Sequence, residues 1–239
     1  MKEKTVSEAI HYRRSVRVYD SKKKIDSKQV KKCIENATLA PTSSNLQLWE
    51  FYHITSEKLL KEVAENCYNQ PAARTAQELV IPIVRLDLWP KRVQANIDFI
   101  TAANQGKDKD TIKGALHYYQ KIIPTLYRGV QPLTGFIHRL KSNWDGRKKV
   151  TYREVEASDL RVVAHKSTAL AAQNFMVSMA ALGYDTCPME GFDSVRLKKI
   201  LQLPEKAEIS MVIGCGIRKE EGVYGERFRI PFDEVYFNK

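Results

Sequence analysis

Apolar positions recur along this chain at two spacings, three-to-four and two, and the changes between them divide it into helices and strands. Val6, Ala9 and Ile10 form a short helical face, and Val16-Arg17-Val18-Tyr19 then alternates like the start of a strand. Ser27 reads as the N-cap of a helix carried by Val30, Cys33, Ile34 and Ala37, with Lys28, Lys31 and Lys32 outside. That helix should stop at Ala40-Pro41, because the residue before proline is pushed out of the helical region. The aromatic-rich run from Leu48 to Ile54 predicts a strand. Ser56 caps a helix over Leu59, Leu60, Val63, Ala64 and Cys67, and Asn69-Gln70-Pro71 breaks it. A short helical piece with Arg74 leads to a strand from Leu79 to Leu86, where Pro82 predicts an edge position or a bulge.

From about residue 89 to 149 the pattern is helical without strands. Val93, Ile97 and Ile100 mark one helix, and Gln105-Gly106-Lys107-Asp108 a turn. Ile112, Ala115, Leu116, Tyr119 and Ile122 mark a second helix ending at Pro124, and a basic, glycine-bearing piece follows it. Such an excursion reads as a cover over a site, as a surface for another subunit, or as an insert with no part in ligand choice. Ser158 or Asp159 opens the longest helix, apolar on more than one side, which Gly183 ends. Tyr184-Asp185-Thr186 is a short strand, Asp193 caps a last helix, and Ile209 to Gly214 is a core strand.

Composition narrows the class. The 239 residues are 43% apolar and 28% charged, as in a folded soluble domain. The longest apolar run near a strand, Leu79 to Val84, is too short to span a bilayer, and no signal peptide is read, so a cytoplasmic protein without membrane contact is expected. Cys33, Cys67, Cys187 and Cys215 form no C-x-x-C pair and read as small buried hydrophobes in a reducing compartment. The five histidines lack metal-ligand spacing, and no metal is expected. The net charge of +11 calls for an anionic partner. Eleven Lys or Arg against five acids fall in the first 35 residues, so an anionic cofactor explains the bias as economically as nucleic acid does. The aromatics are not interleaved with basic residues as on single-strand stacking platforms.

The densest chemistry is Arg13-Arg14-Ser15-Val16-Arg17: three guanidinium forks and a hydroxyl, suited to phosphate or carboxylate oxygens. A solvated basic face is the commoner meaning of so short a run. Thr42-Ser43-Ser44-Asn45-Leu46-Gln47 is a polar loop between a helix and a core strand, a better place for a binding site than a free surface loop. Arg227-x-Arg229 adds two guanidiniums that face one way if extended. Gly214-Cys215-Gly216 fails as a dinucleotide fingerprint, and neither a G-x-S-x-G nor a Walker loop is present. Anion- and amide-binding groups without an evident acid, base or nucleophile suit a protein whose cofactor carries the chemistry.

Four stretches together resemble the FMN-dependent nitroreductase family: residues 13–17, Ala40 to Trp49, Pro188-Met189-Glu190-Gly191-Phe192-Asp193, and Arg227-x-Arg229. Their order and spacing match from about residue 5 to the C-terminus. The resemblance implies an α+β fold, with a mixed, mostly antiparallel central sheet surrounded by helices. It also implies one FMN-binding domain over residues 1–239 and an intertwined homodimer whose C-terminal tail reaches the partner. Arg13, Ser15, Arg227 and Arg229 would hold the FMN phosphate, and Arg14 would support the ribityl-phosphate region. Arg17 would sit near the flavin pyrimidine and stabilise the anion that forms on reduction. Thr42, Ser43 and Asn45 would reach the flavin from the partner chain, and Asn69 or Gln70 would bond the ribityl or pyrimidine edge. Pro188, Met189, Glu190 and Gly191 would lie on the far face of the ring, with a backbone N–H near Glu190 donating to N5. Leu48 stands where the family usually has proline. The implied activity is ping-pong transfer of hydride from NAD(P)H to FMN, then to a nitroaromatic, a quinone or a similar small electron-poor acceptor. No side chain is expected to be catalytic. Flavin storage without turnover and nucleic-acid binding are the alternatives.

Overall fold

The computed structural model describes residues 3–106, 108–128 and 132–239, so Lys107 of the expected 105–108 turn lies outside the described residues. Five strands make one sheet: β1 (Trp49–Ile54), β2 (Glu78–Val84), β3 (Asp185–Met189), β4 (Glu208–Ile209) and β5 (Val212–Gly216). The order is β1-β2-β5-β3, with β4 continuing beside β2, and every named pairing is antiparallel. The parallel element is an isolated bridge between Ser15 and Thr186. Residues 16–19 are therefore not a full strand. They run along the sheet with bridges at Ser15 and Tyr19 only.

β2 is buried at every residue, so its side chains serve two cores. Leu79, Ile81 and Ile83 pack with Val63 of α3 (Glu57–Asn66), Cys67 just after it and Leu197 of α10 (Ser194–Ile200). On the other face Val80 meets Val30 and Cys33 of α2 (Ser27–Ala37) and Phe175 and Met179 of α9 (Ala157–Ala181). Alternation on one strand thus joins two helical layers through a single sheet.

Several local expectations are corrected by backbone hydrogen bonding. Pro82 is central, not at an edge; the bulge is the expectation met, since residues 81–82 lie opposite 210–212 between the Val80–Ile213 and Ile83–Ile209 pairs. The Pro82 carbonyl accepts from Ser210 N (3.0 Å), on the side where β4 stops and β5 has not begun, so the missing N–H falls at a break in the neighbouring strand and removes no ladder bond. The expected 209–214 strand is interrupted at that same break. α2 is capped by Asp26, whose carboxylate accepts from Lys28 N (2.9 Å), leaving the Ser27 hydroxyl to bond Glu78. Glu156, not Ser158 or Asp159, caps α9; Asp159 returns the bond to Glu156 N (3.1 Å) from the third helical position, completing a capping box.

Within 89–149 lie α5 (Trp89–Ala103), α6 (Lys109–His117), α7 (Ile123–Tyr127) and α8 (Pro132–Asp145), with no strand among the described residues. Pro124 does not end the second helix. A wider π-turn over Tyr118–Ile122 takes up the residue that lacks a donor, Ile123 N bonds Tyr118 O, and the helix continues to Tyr127. This unit packs on the end of the sheet through Val84, Leu48, Val93, Ile123, Tyr127 and Leu160.

The N-terminal segment is fixed to the sheet by two unlike contacts. Tyr19 lies flat on β5 and donates to Gly214 O (2.9 Å), and a methyl group at Gly216 would come within 2.6 Å of its ring. Glycine at 216 is the consequence of that close approach, and glycine at 214 of the Ala72 carbonyl, which a methyl group there would overlap, rather than of a phosphate loop. Asp185, buried on β3, accepts from Arg218 N (2.7 Å) and Nε (2.9 Å), and the Arg218 guanidinium lies 4.4 Å from the Tyr12 ring centre of α1 (Val6–Tyr12). Burial works against the Arg218 charge, and Asp185 more than restores it, holding the group above its ordinary pKa. Removing one partner of a buried pair strands the other charge. Asp185→Ala should therefore destabilise the chain by about 3 kcal/mol in urea unfolding, at the low end for buried pairs because Arg218 retains some solvent. A loss under 1 kcal/mol would mean that Arg218 swings out to water.

Candidate functional site

Arg13, Arg14, Ser15 and Arg17 line one cavity of about 240 Å³ together with Arg227 and Arg229. Two stretches about 210 positions apart in sequence meet there because the tail returns over α1. Arg227 Nη2 donates to His11 O (2.8 Å) and Arg13 O (2.6 Å), and Arg14 Nη2 donates to Gly225 O (3.0 Å). These bonds occupy one edge of each fork with neutral carbonyls. The arginine–carboxylate pairs among the described residues belong instead to Arg85, Arg139, Arg161, Arg196 and Arg218. Burial, and after it the charges of Arg227 and Arg229, hold Arg13 below its ordinary pKa. Five guanidiniums are crowded here against one carboxylate on the lining, Glu226, which pairs with none of them among the described residues, an arrangement that an incoming oxyanion would relieve.

The segment 186–191 adjoins this cavity. The Ser15 bridge and the bond from Val16 N to Thr186 O (3.2 Å) lay the arginine run along β3, whose end carries Pro188 and Met189. Glu190 and Gly191 are exposed beyond it. Gln70 Nε2 donates to Gly191 O (2.9 Å) and Cys67 O (3.0 Å), so the turn after α3 supports that exit. Asn69 lies next to Gln70 but lines a separate hollow with Arg74 and α3.

Thr42, Ser43 and Asn45 are not gathered with the arginines in this chain. Thr42 and Ser43 line a hollow along α9 with Lys166 and Ser167, and Asn45 lines another with Gln47, Arg92 and Asn96. The loop is not a solvated turn. Ser44, Asn45 and Gln47 hold φ of 52°, 49° and 48°, a left-handed conformation that costs on the order of 1 kcal/mol or more for each non-glycine residue. Its support comes from the excursion. Asn45 Nδ2 donates to Asn96 Oδ1 (3.0 Å), Asn96 Nδ2 returns a bond to Asn45 O (3.1 Å), and Tyr119 OH donates to Ser44 O (3.1 Å).

Sequence reasoning missed Tyr224, Glu226 and Phe228, which line the arginine cavity, and the supporting Asp185–Arg218 pair. The signal for the pair was legible: a lone carboxylate in the apolar strand Tyr184 to Cys187 requires a cation. The four cysteines are free and buried. Burial pushes Cys33 up to about 12 and Cys67 to about 11, and raises Cys187 and Cys215, so the thiols are protonated and poor nucleophiles. No cluster able to hold a metal ion occurs among the described residues.

This antiparallel sheet between helical layers, with an arginine cavity at its edge, is a nitroreductase-type fold. A profile of the Nitroreductase family matches residues 10–217, and the chain belongs to that family. Protein DrgA of Synechocystis is 26% identical over 224 residues, covering 94% of this chain and 89% of its own. A Staphylococcus epidermidis protein assigned as an NAD(P)H nitroreductase is 25% identical over 228 residues, with 93% and 91% covered. Among solved structures, a Staphylococcus epidermidis protein assigned as an NAD(P)H:FMN oxidoreductase superposes with a TM-score of 0.75 at 22% identity, covering 100% and 98%. One from Exiguobacterium sibiricum, assigned as a nitroreductase and solved in complex with FMN, gives 0.67 at 20%, covering 100% and 99%.

If the cavity is built for an oxyanion, inorganic phosphate should stabilise the chain saturably. At ten times its dissociation constant the gain is about 1.4 kcal/mol, read as a rise in unfolding temperature. An Arg13→Ala/Arg229→Ala variant should lose most of that rise. Equal rises in both proteins would place the anion elsewhere.

Proposed function

We propose that this chain is an FMN-dependent oxidoreductase that takes reducing equivalents from NAD(P)H and passes them to small electron-poor acceptors. The observation that carries the reading is the gathering of five guanidiniums and Ser15 in one cavity whose single lining carboxylate, Glu226, is ion-paired with none of them among the described residues. That donor set fits a phosphate monoester: planar forks and a hydroxyl, in surroundings whose positive charge already weighs on Arg13. When bound, FMN supplies the hydride-accepting and hydride-donating centre that the side chains lack.

The chain's own residues then have distinct tasks. Arg13, Ser15, Arg227 and Arg229 would grip the phosphate, with Arg14 beside them. Arg17, whose backbone N–H is fixed to Gly222 O (2.6 Å), would present a cation to the pyrimidine end, favouring the form that carries more negative charge. Pro188, Met189, Glu190 and Gly191 would bound the far face, and Gln70 keeps that exit in place through Gly191 O. With no side chain assigned as acid or base, donor and acceptor would take turns at one place, a ping-pong cycle serving nitroaromatics, quinones and similar conjugated compounds.

We further propose one FMN-binding domain over residues 1–239 that works as a homodimer in the cytoplasm, where four free thiols persist. In one chain the 42–47 loop lies away from the arginine cavity, so Thr42, Ser43 and Asn45 would serve the partner's flavin. Val6 and Ile10 of α1, Val162 and Leu170 of α9, and Phe228, Phe232 and Phe237 of the tail are at least 49% exposed, apolar surface that a second copy would cover. Light scattering should return twice the 27.4 kDa chain mass; a monomer at micromolar concentration would overturn the dimer.

The purified chain should be yellow or become so with FMN, bleach anaerobically with NADH or NADPH, and recover colour with a nitroaromatic. A colourless protein that gains no flavin spectrum would refute the reading, and bound flavin that never bleaches would point to storage. Arg13→Ala should weaken FMN retention about tenfold or more, the loss of one charge-assisted contact. Arg17→Ala should in addition lower the reduction potential of the flavin that remains; an unchanged potential would remove the tuning role.

A further inference from the structure

A cavity of about 520 Å³ lies away from the arginines, between the π-turn, α7, α8 and the 151–155 segment. That volume is within the range of small-molecule sites. It shares no lining residue with the arginine cavity or with the hollows along the 42–47 loop.

Its character follows from an inversion of α8. Leu133, Phe136, Ile137, Leu140 and Trp144, at spacings of three and four, are each more than half exposed. The opposite stripe, His138, Lys141, Ser142 and Asp145, faces the cavity. A helix that packs only to fill a core turns its apolar stripe inward. Here the polar stripe lines the cavity, with Ser142 buried and Lys141 at the open rim, against apolar side chains of Ile122, Leu126, Tyr152 and Val155.

Most polar groups at this cavity already have partners. Ser142 Oγ donates to Tyr152 O (2.7 Å), Thr125 Oγ1 to Lys121 O (2.7 Å), and Asp145 faces Lys149 Nζ (3.6 Å). Lys121, His138 and Lys141 have no side-chain partner among the described residues. The two lysines are solvent-exposed at the rim of the cavity, unpaired, while the one lining carboxylate, Asp145, is engaged by Lys149. The π-turn that accommodates Pro124 also delivers Lys121 and Ile122 to the site, and such turns are rare and fall frequently at functional positions. No arginine lines the cavity, so the multi-fork recognition that a phosphate favours is absent, in contrast to the first site.

We propose that this cavity is a second ligand site, for a small amphipathic carboxylate: an aromatic or alkyl body on the Ile122–Leu126–Val155 floor and a single carboxylate between Lys121 and Lys141. It stands apart from the flavin reading, and its test needs no turnover. Methyl-labelled full-length chain is titrated with 4-phenylbutyrate, 4-phenylbutan-1-ol, 4-phenylbutylamine and inorganic phosphate, with the methyl signals assigned through Ile122→Val and Leu126→Met. The acid should shift Ile122 and Leu126 saturably and bind at least tenfold tighter than the alcohol, and the amine and phosphate should leave both signals in place. Lys121→Gln/Lys141→Gln should weaken the acid about tenfold and leave the alcohol unchanged; Lys141→Gln alone serves if the double variant does not fold. The proposal fails if acid and alcohol bind alike, if phosphate competes with the acid, if the shifts fall elsewhere, or if nothing saturates by millimolar acid.

Discussion

The Asp185–Arg218 ion pair is the contact on which the arrangement of the first site depends. It lies where β3, the strand exit at Gly216 and α1 converge, and it is the neutralised pair beside an assembly of unneutralised cations. The arginine run cannot hold itself in place, since its members repel one another. Its position comes from neutral neighbours: Tyr19 packed on Gly216 and bonded to Gly214 O, the bridge from Ser15 to Thr186, and the carbonyls of His11, Arg13 and Gly225 that accept from Arg227 and Arg14. The protein thereby separates the charge that stabilises the fold from the charges left over for a ligand.

A second consequence concerns where strain is stored. The 42–47 loop carries three non-glycine residues in the left-handed region and is held there by α5 and the π-turn rather than by its own sheet. Backbone strain persists where surroundings over-determine it. Here the surroundings are the excursion, so that segment has a structural task whatever it does with ligands: it fixes the polar loop that the flavin reading assigns to the other subunit. Arginine cavity and strained loop, distant within one chain, become one site only if two copies exchange them.

The sheet, the helical layers and most caps were legible because each rests on local chemistry that has few alternatives. Asp193 and Ser56 have their expected roles, and Gly183 takes the left-handed conformation that ends α9. The errors have a common origin. Pro82 was read as an edge residue or a bulge, of which only the edge fails, and Pro124 as a helix end, from the donor each lacks. Both sit where the neighbouring backbone has already changed, at a bulged gap between two strands and at a π-turn. A residue rule describes what a proline forbids locally and is silent on how partners rearrange to accept it. At the site, the contiguous arginines were readable as a run, whereas Tyr224, Glu226 and Phe228 enter only because the tail folds back on α1, a contact between positions far apart in sequence.

The excess of positive charge, first read as one property, divides into two chemistries. Around the first cavity it is carried by guanidiniums, rigid forks that suit an oxyanion approached from several sides. Around the second it is carried by ammonium groups on flexible stems above an apolar floor. The inversion of α8 explains why these are not variations of one surface. A helix with its polar stripe turned inward is stable only if both stripes are satisfied, the inner one by an anion or water and the outer one by apolar cover. A second copy of the chain covering Phe136, Leu140 and Trp144 would remove the outer cost, and the lysines at the rim of the cavity would keep their charge for a ligand on the other side of α8.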